Sequence, residues 1–350
     1  MKPDPLAALV HRLVEIEPDE SPLISCFLDL QRKHSEWMSD LDYPSSLFAK
    51  RLTGQRRTDF EDALGEIRSY LEKSLDPHSK SVALYARWGE NPFFTATEFQ
   101  VPLKPLFVAD TLPHIYPLIE LKDSYHRFVI VITTEEEARI LETTIGAVTE
   151  QILAKRPELR QRVGREWTRE HYRNHKRERE QQFIHEKIRI LEDLMNRKGH
   201  NHLIVAGSPK MVGRLAEALP TRLRKKLITS MAANPSSGIG PILLESIHQF
   251  TLAESGESHD RVDMLEASVM KGGLAVSGLE ASLDAMRDGY ADMLIIDQDF
   301  EDAETREELI RLALKTNTQI ETVSGSEPLK RLAGVGCLLR YRPGELVSGR

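Results

Sequence analysis

At 350 residues the chain has room for two or three separately cored domains, taking ~150 residues for each. Its 40% hydrophobic and 29% charged residues are an ordinary globular balance, and its longest aliphatic or aromatic run, Phe128 to Ile132, falls far short of the ~20 apolar residues a membrane-spanning helix needs. The net charge of −7 argues against a nucleic-acid partner only until it is divided, because residues 1–124 carry −6, 125–250 carry +7 and 251–350 carry −8.

A basic middle between acidic flanks predicts that the middle faces a polyanion while the flanks do other work. The opening MKPDPLAALVHRLVEIEPDE puts prolines and acids where a secretory signal has basic residues and an unbroken apolar core, so a cytoplasmic location is expected. Cys26 and Cys337 match no metal or redox spacing and read as buried small residues in a reducing compartment.

In chain order, Leu6, Leu9, Val10 and Leu13 have the spacing of an amphipathic helix, and Leu23 to Leu30 reads as a strand entering a polar and aromatic loop. A helix is predicted over Phe48 to Leu75 on the stripe Phe60, Leu64, Ile67 and Leu71. Strands follow at 82–86, 93–99 and 106–109, with prolines 102, 105, 113 and 117 punctuating the way out. These make a small α+β domain over 1–124.

Next come three strands with tight turns, 125–132, 137–144 and 147–153. A charged loop then leads into a long helix beginning near Glu166 or Trp167. The ten polar residues Arg173 to Gln182 predict a stretch that is not packed in a core and projects into solvent or against a polar partner. A strand at 202–206, a helix after Pro209 and a strand at 227–231 complete a ribonuclease-H-like mixed sheet, giving a middle domain over 125–250.

A helix over 241–253 is expected to break or kink at the polar ESGESHD run. Beyond it, helices at 260–270, 278–288, 304–316 and 326–332 alternate with strands at 292–296, 318–323 and 336–341. That order reads as a three-layer α/β/α domain over 251–350. The expected whole is a multidomain α/β protein of three parts.

Several patterns imitate chemistry. The glycine pairs at 238–240 and 334–336 lack the third glycine and the strand-to-helix setting of a dinucleotide fingerprint, and no phosphate loop of the P-loop kind occurs. No cofactor or metal is therefore expected. Ser268 and Lys271 have Ser-x-x-Lys spacing without its companion motifs. His171 and His175 stand one turn apart, but their neighbours are arginines that repel a cation. Glu135, Glu136 and Glu137 follow a strand consecutively, so at most two share a face, and a solvated loop fits them better than a two-metal nuclease site.

The informative stretch is 155–179, where ten Lys and Arg stand against four Glu and are interleaved with Trp167, His171 and Tyr172. Arginines supply bidentate forks for phosphate, and aromatics supply a stacking face for an unpaired base. Arg160, Arg162, Arg165, Arg169, Tyr172, Arg173, Lys176 and Arg177 are the candidate RNA-binding residues. Arg165, Arg169, Arg173 and Lys176 or Arg177 fall on one helical stripe.

The close of the chain, ETVSGSEPLKRLAGVGCLLRYRP at 321–343, resembles the last strand of the archaeo-eukaryotic class 1 release factors and of Pelota. GLEASLDAMRDGYADMLIIDQDF at 278–300 is similar to the helix and strand before it, and HLIVAGSPK at 202–210 to the family's hydrophobic strand and Ala-Gly turn. The resemblance covers about 125–343. It implies a ribosome-binding factor that occupies the A site in rescue or hibernation, with ribosomal RNA and tRNA as partners.

The resemblance further implies a translational GTPase docked on the last domain near Gly334, Gly336 and Arg340. The class 1 release factors carry Gly-Gly-Gln on the loop before the basic helix, where the glutamine orients water against the peptidyl-tRNA ester. Here that loop reads Arg162, Val163, Gly164, Arg165, Glu166, Trp167, with Gln161 the nearest glutamine. Binding without peptidyl-tRNA hydrolysis is the expectation. The alternatives are peptide release through Gln161 and a ribosome-independent RNA-binding or nuclease module.

Overall fold

The computed structural model describes residues 5–125, 127–135, 137–144, 147–155, 169–234 and 238–341, and the elements and contacts below are those of the described residues. They form two compact units, one over 125–253 and one that joins the chain up to Ser124 with the chain from Glu254 onward.

The joined unit begins with α1 (Pro5–Val14), β1 (Leu23–Asp29), α2 (His34–Ala49), α3 (Gly54–Lys73), β2 (Ser81–Arg87), β3 (Phe93–Phe99), β4 (Leu106–Asp110) and α4 (Tyr116–Ser124). The strands form an antiparallel sheet in the order β3-β2-β1-β4. Ile24, Cys26 and Leu28 of β1 and Val82, Leu84 and Ala86 of β2 face one way, as a period of two requires, and meet Trp37, Leu41, Phe60, Ala63 and Ile67.

The region expected to be a polar and aromatic loop is helix α2, and the helix expected over 48–75 is two helices separated at 50–53. Trp37, Leu41 and Ser45, buried at successive turns, and Phe48, tilted on Phe60 with centroids 5.1 Å apart, outweigh the backbone bond that Pro44 removes inside the helix. Alternation of aromatic and polar residues concealed that stripe.

The unit over 125–253 contains β5 (Phe128–Thr133), β6 (Glu137–Thr144), β7 (Ala147–Lys155), α5 (Arg169–Lys198), β8 (His202–Gly207), α6 (Pro209–Ala218), α7 (Thr221–Arg224), β9 (Leu227–Ala232) and the first part of α8 (Ile239–Met270). Its sheet runs β7-β6-β5-β8-β9. The first three strands are antiparallel, and β8 and β9 lie parallel to β5. Val129, Val131, Leu203 and Val205 pack on Leu191, Leu194 and Met195 of α5 and on α6, whereas Phe128, Ile130, Ile132 and Ile204 pack on Ile242 and Phe250 of α8. A strand covered on both faces reads as a continuous apolar run, which is why YHRFVIVI was legible as one.

Helix α8 continues through the ESGESHD run where a break or kink was expected. Ser258 places Oγ 3.0 Å from the carbonyl of Glu254 and 2.6 Å from Glu321, and Arg261 pairs with that same buried carboxylate. The polar run thus has a carboxylate to meet, and its one glycine, Gly256, costs a helix only about 1 kcal/mol.

The remainder of the joined unit is β10 (Ala275–Ser277), α9 (Leu279–Arg287), β11 (Ala291–Asp297), α10 (Ala303–Lys315), β12 (Gln319–Val323), α11 (Glu327–Arg331) and β13 (Val335–Leu339). The sheet order is β10-β13-β11-β12, with only β11 and β12 parallel. Val262 and Leu265 of α8 and Leu329 of α11 cover Ile295 and Val323 on one face. On the other face Cys337 lies 4.0 Å from the Ser282 carbonyl of α9. Cys26 and Cys337 are both free and buried, as the sequence indicated.

The two sheets of this unit are tied together through α4. Glu307 of α10 accepts hydrogen bonds from the backbone amides of Ile115 (2.6 Å) and Tyr116 (3.0 Å), capping α4 from a distant part of the chain. Arg311, one turn on, donates to the carbonyl of Pro113. At the other end of α4, Asp123 accepts from the amide (2.6 Å) and hydroxyl (2.8 Å) of Thr322.

His114 sits inside this joint with Nδ1 3.3 Å from Glu307, its amide donating to Ser25 and its carbonyl accepting from Tyr85. Burial holds its pKa below the usual 6.5, with Arg306 and Arg311 adding to the effect and Glu307 opposing it. The folded chain therefore takes up that proton less readily than the unfolded chain, so this stability is complete above the unfolded pKa and is lost as pH falls through the lowered folded value. The urea midpoint of the wild type is expected to drop more than that of His114→Gln between about pH 7.5 and about pH 5.5. Equal drops would exclude His114 as the source.

Candidate nucleic-acid interface

The candidate interface is built on α5. Arg160, Gln161, Arg162, Val163, Gly164, Arg165, Glu166 and Trp167 lie outside the described residues. Arg169, Tyr172, Arg173, Lys176 and Arg177 belong to the first described turns of α5, and the helix start expected near Glu166 or Trp167 lies outside the described residues. Spacings of three and four residues put them on successive turns of one helix. At 1.5 Å per residue a 30-residue helix is about 45 Å long, and among its residues of described burial the buried apolar ones begin at Phe183.

Between the basic turns and the apolar half stands a set of polar anchors that sequence reasoning missed. Glu180, in the stretch expected in solvent or against a polar partner, is 5% exposed and meets such a partner in Arg214 of α6, while Lys210 pairs with Glu135 at 2.8 Å. Lys187 is fully buried. Its ammonium lies 2.6 Å from Thr133 Oγ1 at the end of β5 and 3.8 Å from the centre of the Phe183 ring. Truncating such a group leaves buried polar atoms unmet, so these residues hold α5 to the carboxyl ends of β5 and β8. No periodicity announces a lysine at a core position, because the apolar stripe reads the same with or without it.

The junction of β8 and α6 is equally constrained. Gly207 has φ +135°, and a Cβ there would come 2.0 Å from the carbonyl oxygen of Thr133. The neighbouring Ser208 amide donates to that same oxygen at 3.1 Å. Gly207→Ala is expected to destabilise this unit by about 3 kcal/mol or more through left-handed strain and overlap. A urea midpoint within error of the wild type would remove that constraint.

Of the acids weighed as a nuclease centre, Glu136 lies outside the described residues, Glu135 is held by Lys210, and Glu137 pairs with Arg139 at 3.3 Å. At the far end of the chain, Gly334 has φ +73° ahead of β13 with Phe300 close by, and Gly336 is buried where a Cβ would meet Leu265 and Val276 at 2.8 Å. Gly336 is thus closed in by its neighbours, while half-buried Gly334 holds a left-handed turn. Arg340 is exposed, bonding Asp292 and the Asn317 carbonyl, each at 3.1 Å.

A basic helix set on this five-stranded sheet coincides with what comparison finds, since residues 113–249 match the model of bacterial archaeo-eukaryotic release factor family 10. Over that segment the chain is similar to the archaeo-eukaryotic release factors and to Pelota. The Pelota homologue of Pyrococcus furiosus is 28% identical over 176 residues, 47% of this chain and 49% of that protein. The homologue of Thermococcus gammatolerans is 26% identical over 246 residues, 65% and 66% of the two chains. The chain thus spans about half the length of the first of the curated Pelota proteins it matches.

Among solved structures, a model of ribosome-bound archaeal Pelota and ABCE1 aligns over 98% of this chain and 96% of that one at 17% identity and a TM-score of 0.46. Dom34 of S. cerevisiae aligns over 76% and 82% at 14% identity and a TM-score of 0.43. The sequence has no Gly-Gly-Gln anywhere in its 350 residues. Among the described residues no helix is long and apolar enough to cross a membrane.

Proposed function

We propose that the chain is a cytoplasmic ribosome-binding translation factor of the rescue or hibernation type, occupying the A site without hydrolysing peptidyl-tRNA. The observation that carries the reading is the coincidence of one segment with two properties. The region matching the release-factor family is also the only strongly basic third of an acidic protein, and it lacks the Gly-Gly-Gln on which the family's hydrolysis depends.

The arrangement of parts supports it. Strand order β7-β6-β5-β8-β9 supports a ribonuclease-H-like middle domain, and helices on both faces of the last sheet suit a three-layer release-factor domain. In this reading the middle part, 125–250, meets ribosomal RNA and tRNA through Arg160, Arg162, Arg165, Arg169, Tyr172, Arg173, Lys176 and Arg177. The acidic last part, 251–350, recognises a translational GTPase near Gly334, Gly336 and Arg340, of which Arg340 is exposed.

Cosedimentation of the full chain with 70S ribosomes across a salt series is the test. Binding whose logarithm falls linearly and steeply with the logarithm of salt is expected from phosphate-dominated contact. Absence of cosedimentation at low salt refutes the reading. Release of labelled peptide from stalled complexes, lost in Gln161→Ala, would replace it with a hydrolase.

A further inference from the structure

The middle unit carries a second concentration of positive charge, at the α6–α7 corner and the entry to β9. From Ala218 to Leu244 the chain has no acidic residue, and its four cations, Arg222, Arg224, Lys225 and Lys226, fall within five positions. Leu219 and Leu223 are buried in the same core as Leu191, Leu194, Met195 and Leu215, so the corner is held rigidly against α5 and the sheet. Two of the cations are fixed by carbonyl oxygens. Arg224 donates to Glu217 (2.7 Å) and Leu219 (3.3 Å), and Lys226 donates to His200. The other two, Arg222 and Lys225, are exposed, and their side chains have no hydrogen bond or ion pair among the described residues.

This corner lies at the beginning of β8 and β9, where the amide of Leu203 bonds the carbonyl of Lys226 at 2.7 Å. Helix α5 reaches the same end of the sheet at Met195, whose carbonyl accepts from the His200 amide. Arg173 stands 22 residues earlier on that helix, about 33 Å away along its axis. The two basic regions therefore occupy opposite ends of α5. They also differ in chemistry. Tyr172 accompanies the first, whereas no Phe, Tyr or Trp occurs between Phe183 and Phe250. The corner offers charge without a stacking face, which suits phosphates of a helical RNA and not unpaired bases.

We infer that Arg222 and Lys225, steadied by Arg224 and Lys226, form a second RNA-contacting site that tracks the phosphate backbone of an RNA helix. It gives the middle unit two grips on one RNA surface. This inference rests on the ribosome-binding reading above and extends it to residues outside the 155–179 stretch.

The experiment uses the full chain and its Arg222→Glu/Lys225→Glu variant, with 70S ribosomes and with protein-free ribosomal RNA, over a salt series. Each counterion released near 0.15 M salt corresponds to about a four- to fivefold gain in affinity, so loss of two contacts is expected to weaken binding by about twentyfold. The slope of log affinity against log salt should fall by about 1.5 to 2. Both substitutions are at exposed positions, so the urea midpoint should stay unchanged.

Wild-type affinity and slope in the variant overturn the inference, and if Arg165, Arg169 and Arg173 remain required the ribosome-binding reading survives. A loss seen with 70S particles and not with protein-free RNA assigns the corner to an acidic protein and overturns the inference as well. Failure of the wild type to bind ribosomes overturns both.

Discussion

Replacing Arg165, Arg169 and Arg173 together by glutamate is expected to lower affinity for 70S ribosomes by about a hundredfold and to flatten the salt dependence by about two to three. The magnitude follows from three counterions, each corresponding to about a four- to fivefold factor near physiological salt. Reversal adds repulsion to the loss of contact, so a hundredfold is a lower bound. Arg169 and Arg173 lie in the first turns of α5, before the anchors Glu180 and Lys187 that fix the helix to its sheet. The variant should therefore keep the wild-type urea midpoint while losing binding. An unchanged affinity removes α5 from the ribosome contact.

The second large effect concerns stability. Glu307→Ala is expected to destabilise the joined unit by about 3 kcal/mol, because it strips a half-buried carboxylate from two backbone amides and leaves Arg311 enclosed without its charge partner. Its exposed neighbour Glu308, replaced in the same way, should change stability by less than about 0.5 kcal/mol. Trp37 reports on the outcome, since it is buried under the amino-terminal sheet while Glu307 belongs to a helix of the carboxy-terminal one. Its fluorescence transition should move with the whole. A Trp37 midpoint that ignores the substitution would mean that the two sheets unfold separately.

The sequence disclosed those parts of the molecule whose physics is local. Strands β5 and β8 were readable because a strand buried on both faces is an unbroken apolar run, and α1 because Leu6, Leu9, Val10 and Leu13 all face inward at helical spacing. Helix α2 was not, since Pro44 and three aromatics look like a loop until burial of Trp37 and Leu41 is known. The three-residue strand β10 is too short to show a period, and its place depends on pairing with β13.

The candidate site was legible as charge and illegible as architecture. Counting by segment located the basic stretch, and it could not show that Lys187 is buried beside Thr133, 54 positions away. The joint between the sheets was hidden more completely, because Glu307 meets Ile115 across 192 positions and Asp123 meets Thr322 across 199. No window of sequence contains both partners of such a contact.

That joint bears on how the chain tolerates interruption. The peptide leaves the joined unit at Ser124 and re-enters it at Glu254, so the middle unit is, topologically, a guest within a host whose two halves grip each other directly. Insertions of this kind can be exchanged over evolution without refounding the host's core. A protease that cuts within the guest should leave the host's two fragments bound to one another without a covalent link, migrating as one particle until the Glu307 and Asp123 contacts are broken.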